Sequence, residues 1–307
     1  MHIGTVLVPP SGTPNVIDYL VNESRQAAGT GVGTVWLPQL MAVDALTAVA
    51  AIAREVAGIE FGTAVVPTYP RHPLVLASQA LTAQAASGNR LTLGVGLSHQ
   101  MVIEGAYGYS FERPVRHMRE YLSILMPALR GESVSFEGET MRGTTFEPVT
   151  VGGASAPEVL VAALGPAMLE LAGQMAGGTV TWMVGPRTLS SHIIPSITAA
   201  SEAAGRVAPR IAVCLPVCVT SDPDRALQRA ARSFALYNQL PSYRAMLDRE
   251  DVDGPGDVAL IGEEDRVAAA VEQLKEIGAT DFAAVPLGPR DEWQRTAALM
   301  SDLAGRL

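Results

Sequence analysis

The chain has 307 residues, 48% of them hydrophobic, which is enough to bury one large core. A formal net charge of −9 and a pI near 5.1 argue against nucleic acid as a partner, because phosphate binding needs clustered cations. No stretch reaches the ~18 unbroken apolar residues of a membrane span, and Met1 to Gly12 lacks the charged start and long apolar run of a signal peptide, so a cytoplasmic protein is expected.

In chain order, His2 to Val8 predicts a first strand, and Thr13-Pro14 caps a helix to about Ala28. Gly33 to Leu37 is a second strand, followed by the loop Pro38-Gln39-Leu40-Met41, and Asp44 caps a helix over Ala45 to Val56. Ile59 to Val66, rich in β-branched residues, is a third strand ended by the turn Pro67 to Pro73. His72-Pro73 opens a helix whose inward stripe reads as Leu74, Ala77, Ser78, Leu81 and Ala85, and Ser87-Gly88-Asn89 ends it. Leu91 to Leu97 is a fourth strand, close enough to require a parallel pair with a right-handed crossover.

Between Gln100 and Pro157 the alternation breaks. Glu112 to Arg130 predicts a helix, and Ser133 to Thr140 alternates like an exposed strand. This stretch has too few large apolar residues for its own core, so it reads as an insertion carried on the domain. Strands at Val159 to Ala163, Thr179 to Val184, Ile211 to Thr220 and Asp281 to Val285 then alternate with helices at Pro166 to Ala176, Arg187 to Ala204, Pro223 to about Tyr237, Arg266 to Ile277 and Arg290 to Leu303. Eight mostly apolar strands in strand–helix units predict one α/β domain over 1–307, a TIM (β/α)8 barrel with an insertion after the fourth strand. A doubly wound open sheet is the competing architecture. The helix-rich, apolar exterior permits a homodimer.

Ligands in such barrels bind at the carboxyl ends of the strands, here Thr63 to Tyr69 and Gly94 to His99. Three strand ends carry one junction: Leu164-Gly165-Pro166, Val184-Gly185-Pro186 and Leu287-Gly288-Pro289. Turn chemistry explains each, but the unpaired N–H groups of a helix start also hold phosphate, and Ala163 to Met168 is the best candidate. Gly94-Val95-Gly96 lacks the third glycine of a dinucleotide-binding loop, and no phosphate-binding Lys loop, nucleophile turn or paired carboxylates are present. Cys214 and Cys218 lie four apart on one strand, beyond disulfide reach, and lack companions for a metal site. A mouth so poor in charge suits a flat, mostly neutral ring system.

Thr63-Ala64-Val65 with Arg71-His72-Pro73, Asn89 to Gly96, and Gly108 before a helix with Arg116 and Glu120 resemble the luciferase-like monooxygenase superfamily. Trp36 to Gln39, Asp44 to Thr47, Ser98-His99, Pro209-Arg210 and Leu240 to Arg244 resemble an actinobacterial branch regarded as F420-dependent. The resemblance implies a TIM barrel binding the deazaflavin F420, with FMN as the alternative cofactor.

It also implies a non-proline cis peptide near Thr63-Ala64, with Thr63, Ala64, Val65 and Val66 backing the ring and Gly96, Ser98 and His99 beside it. The backbone of Ala163, Leu164, Gly165, Pro166, Ala167 and Met168 would hold the cofactor phosphate, and Tyr69, Trp182 and Met183 would face substrate. The Asp-His pair, the Glu and the substrate-binding lysine of the family's sugar-phosphate dehydrogenases have no counterparts here. The expected activity is hydride transfer between C5 of F420 and a small organic substrate, as a reduction, with His99 donating the proton and Gln39 orienting a polar group. An FMN-dependent monooxygenase and a non-catalytic F420-binding protein are the alternatives.

Overall fold

A computed structural model describes all residues, Met1–Leu307. Its eight barrel strands are β1 (His2–Val6), β2 (Thr34–Leu37), β3 (Glu60–Thr63), β4 (Leu91–Gly96), β5 (Glu158–Val161), β6 (Gly178–Trp182), β7 (Arg210–Val219) and β8 (Asp281–Pro286). Each pairs in parallel with the next, and β8 pairs with β1, His2 opposite Asp281, which closes the barrel and rules out an open sheet. No helix is long and apolar enough to cross a membrane.

The lumen is filled by Val6, Trp36, Leu160, Val180, Ala212, Cys214 and Ala283. Trp36 fits because its neighbours on β1 and β3 are glycines. A Cβ on Gly62 would run into the indole, and one on Gly4 would stand 3.0 Å from Nε1. At the amino ends of the strands Arg210 ties four of them together. Its Nε and Nη2 donate to the two Asp281 oxygens (2.8 and 2.5 Å), and its Nη1 to Glu158 and Thr92 (3.0 Å each). Its guanidinium lies 6.0 Å from the Trp36 ring centre.

Some details differ from expectation. Asn15, not Thr13, caps the first helix, accepting from the N–H groups of Ile17 and Asp18, while Asp44 caps the second as expected. The helix Pro73–Ala86 buries Leu76, Ala77, Ala80, Leu81, Ala83 and Gln84, so Ala77 and Leu81 face inward but Ser78 is exposed. An alanine-rich helix wedged between neighbours has no single apolar face to set its rotation. The expected exposed strand is half of a hairpin, Ser135–Glu137 against Arg142–Thr144. It is held by the buried Glu120 carboxylate, which accepts from the N–H groups of Glu139 (3.0 Å), Thr140 (2.7 Å) and Met141 (3.1 Å). Two further elements follow β7: a helix at Pro241–Glu250 and a short strand, Leu260–Gly262, which pairs with the end of β7.

Candidate functional site

The carboxyl ends of the strands carry a floor, a helix start and an aromatic wall. The floor begins with the bulge after β3. Ala64 N donates to Leu37 O (3.0 Å), which keeps the Thr63–Ala64 peptide in the sheet, and the cis peptide falls one residue later, at Ala64–Val65. Thr63 is fully buried and brackets Gly94: its hydroxyl donates to Gly94 O (2.8 Å) and accepts from Gly94 N (2.9 Å). A Cβ on Gly94 would run into the Thr63 carbonyl oxygen, and one on Gly96 would stand 2.6 Å from the Val65 side chain. The two glycines therefore make room for the bulge. Ala64 and Val65, partly exposed, lie with Ala162, Trp182 and Val285 on top of the lumen cluster. Val66 does not join them. It is fully buried in the layer between barrel and helices, as strand alternation requires.

Beside this floor Ser98, with φ of 60°, turns the chain out of β4, and His99 becomes the N-cap residue of the helix Gln100–Gly105 without a side-chain cap bond. Burial lowers the His99 pKa from its usual value, so the ring is neutral at pH 7. On the other flank the helix Pro166–Met175 starts at Gly165 with no side-chain cap, and nothing stands within 4 Å of where a Gly165 Cβ would be. Ala163 and Met168 are buried, and Gly165, Pro166 and Ala167 are exposed. His192 fixes this junction, its Nε2 lying 2.9 Å from the Leu164 carbonyl oxygen. An open, uncapped helix start of this kind presents N–H groups to an anion.

The wall was not foreseen. Trp182 meets Phe234 and Tyr237 edge-on at centroid distances of 5.6 and 6.0 Å, and Tyr237 meets Tyr243 at 4.8 Å. His99 comes across the mouth to within 6.2 Å of Tyr237 and 5.8 Å of Tyr243. Burial raises both tyrosine pKa values and keeps the phenols neutral. Phe234, Tyr237 and Tyr243 come from the segment after β7; Tyr243 lies in the Leu240 to Arg244 stretch that carries the resemblance, but no spacing marks the three as one surface.

Besides Val66, three more expected site residues stand elsewhere. Gln39 spends its amide on scaffolding: Oε1 accepts from Ala45 N (3.0 Å) and Arg71 Nη1 (3.4 Å), while Nε2 donates to Asp44 (3.4 Å), itself paired with Arg71. Its carbonyl oxygen already accepts two hydrogen bonds and its amide nitrogen is turned to Asp44, so it serves the loop. Met183, following the inward Trp182, has φ of 57° and is buried among core residues outside the lumen, so it does not line the mouth. Tyr69 stacks on His117 (3.9 Å) and Phe111 (5.3 Å), beside a separate cavity of about 630 Å³ that also touches Arg71, Arg113 and Glu139. That cavity does not touch Trp182. Burial pushes the Tyr69 pKa up to about 12.

The chain matches the luciferase-like monooxygenase family over residues 1–281. It is 24% identical over 322 residues to the 5,10-methylenetetrahydromethanopterin reductase of Methanolobus tindarius, covering 95% of this chain and 96% of that one. The F420-dependent glucose-6-phosphate dehydrogenase of Mycolicibacterium fortuitum is 29% identical over 197 residues, 61% of this chain and 57% of its own. A Mycobacterium tuberculosis relative with no activity in its name is 28% identical, and the match spans 60% of its length. Among solved structures, the FMN-bound oxygenating constituent of 3,6-diketocamphane monooxygenase from Pseudomonas putida superposes with a TM-score of 0.78 at 17% identity, covering 100% of this chain and 98% of that one.

Proposed function

Because the chain belongs to the luciferase-like monooxygenase family, we propose that it is an F420-dependent oxidoreductase acting on a small organic substrate. The observation that carries this reading is the meeting, at one barrel end, of a flat apolar floor and an open, uncapped helix start, which suits a planar ring joined to a phosphate. Relatives named as F420-dependent enzymes favour the deazaflavin over FMN.

Ala64 and Val65 would back the ring, with Thr63 locking their bulge. Gly96 and Ser98 would border its edge. The N–H groups of Gly165 and Ala167 would hold the phosphate, since Pro166 has none and Met168 N donates to Gly165 O (3.1 Å), while His192 keeps Leu164 in place. When bound, the deazaflavin supplies hydride exchange at C5. The chain supplies position, a dry apolar mouth and one titratable group, His99. Held neutral by burial, His99 accepts the proton released when a hydroxyl is oxidised. In the reduction direction it donates from its minor protonated form. The Trp182 face of the mouth is left for substrate.

Titration of the purified protein with F420 and, separately, with FMN, following the fluorescence of each, tests the assignment. Micromolar F420 binding with little FMN binding is expected. The reverse preference assigns the chain to the FMN monooxygenases, and binding of neither removes the proposal.

A further inference from the structure

Taking the cofactor reading above as given, we propose that the second ligand of this mouth is an uncharged, flat, apolar molecule. It bears a carbonyl oxygen that accepts a hydrogen bond from the Trp182 indole N–H. Three observations lead there. The first is that Trp182 Nε1 is sealed from solvent yet has no hydrogen-bond partner. The Tyr237 hydroxyl is near enough for the indole N–H to pull its pKa down against the burial that raises it, but the two do not meet in hydrogen-bond geometry, which leaves the donor open. A buried donor without an acceptor costs free energy comparable to a lost hydrogen bond, so a ligand that supplies the acceptor gains what the free protein forgoes.

The second observation is the character of the surfaces around that donor. The floor is Ala64, Val65, Ala162 and Val285, and the wall is Phe234, Tyr237 and Tyr243 with His99 opposite. None of these carries charge at pH 7, since burial depresses the histidine pKa and raises both tyrosines. The third is that Arg244, the residue that follows Tyr243, is spent elsewhere. Arg244 donates to Asp248 (2.8 Å) and to the carbonyls of Asp253 and Val252 (2.9 Å each). A carboxylate or phosphate entering the wall would lose its water and meet no counter-ion. A sugar would find one buried donor for many hydroxyls, whereas an aromatic ketone offers ring faces to the edge-on aromatics and a single acceptor to the indole.

The test titrates the protein calorimetrically, with and without oxidised F420, using acetophenone, benzoate, glucose 6-phosphate and α-methylstyrene. Failure to bind F420 refutes the cofactor reading, while ketone binding to the protein alone still decides this one. Acetophenone should bind at least roughly tenfold more tightly than benzoate or glucose 6-phosphate. Trp182→Phe, which keeps a ring and removes the N–H, should weaken acetophenone about five- to tenfold. It should leave α-methylstyrene, which lacks the oxygen, within about twofold, and Tyr237→Phe should leave acetophenone within the same margin. Thermal unfolding confirms that both variants fold. Benzoate binding as well as acetophenone overturns the proposal, as does an acetophenone affinity unmoved by Trp182→Phe. So does a Tyr237→Phe variant that mimics Trp182→Phe, because the phenol and not the indole is then the donor to the ketone.

Discussion

Replacing Arg210 with methionine isolates the latch at the amino end of the barrel. The Asp281 carboxylate is 2% exposed and takes both of its charged hydrogen bonds from this one guanidinium. Without Arg210 it retains only the Thr280 hydroxyl, at 2.7 Å, and Glu158 and Thr92 each lose a partner. Methionine restores the volume over Trp36 but none of the charge. Breaking a buried pair from one side costs about 3–5 kcal/mol, because the remaining ion stays desolvated. For a chain of this length the entropy of unfolding is roughly 0.65 kcal/mol per kelvin, so the melting temperature should fall by about 5–8 °C. Urea or thermal unfolding followed by circular dichroism measures this. Adding Asp281→Asn should recover at least about half of the loss, since the stranded charge is then gone. F420 affinity should not change, the latch being at the opposite end from the mouth. A single-variant cost below about 1 kcal/mol would refute the reasoning, because it would mean that water already screens the pair.

Stability should also depend on pH through His117. Burial against Tyr69 lowers its pKa to about 4, so between 6.5 and 4 the unfolded chain binds more protons than the folded one, and this contribution, complete above 6.5, is lost as pH falls. The difference in stability between wild type and His117→Phe should shift by about 2–3 kcal/mol across that window; a flat difference would show that His117 titrates normally. Thr63→Val removes both bonds that bracket Gly94 and should raise the F420 dissociation constant about tenfold in a barrel that still folds, an unchanged constant counting against the bulge as the ring's support. With reduced F420 and a reducible substrate, kcat/KM should rise as pH falls from 8 toward 6, by up to about tenfold per unit, and His99→Asn should flatten the profile. A pH-independent wild type would take His99 out of proton transfer.

The barrel was legible because its strands are short apolar runs at regular spacing, each bounded by Gly, Pro or a capping residue, as with Asp44 and His72. The bulge at Ala64–Val65 was legible only through resemblance, since no local pattern in Thr63 to Val66 announces it. Where one residue of a strand end faces the mouth and the next the outer layer, as with Trp182 and Met183 or Val65 and Val66, a stretch of sequence marks the place but not the side. Gln39 looked free because Asp44, in its own loop, reads as a helix cap and Arg71 comes from a different loop. The aromatic wall was invisible for the same reason on a larger scale. Phe234 and Tyr237 read as the end of a helix, and Pro241 concealed the further helix that carries Tyr243. Only the return of this segment over the mouth makes them neighbours of Trp182.

Trp36, seated between Gly4 and Gly62, makes the barrel a solid plug and not a pipe. The latch at one end, Arg210 with Asp281, Glu158 and Thr92, shares no side chain with the aromatic mouth at the other. The two ends are therefore separately heritable. Changes to the segment that brings Phe234, Tyr237 and Tyr243 can retune what the mouth accepts while the Arg210 latch goes on holding the staves together. A methyl group added at Gly62, which would run into that indole, would end both.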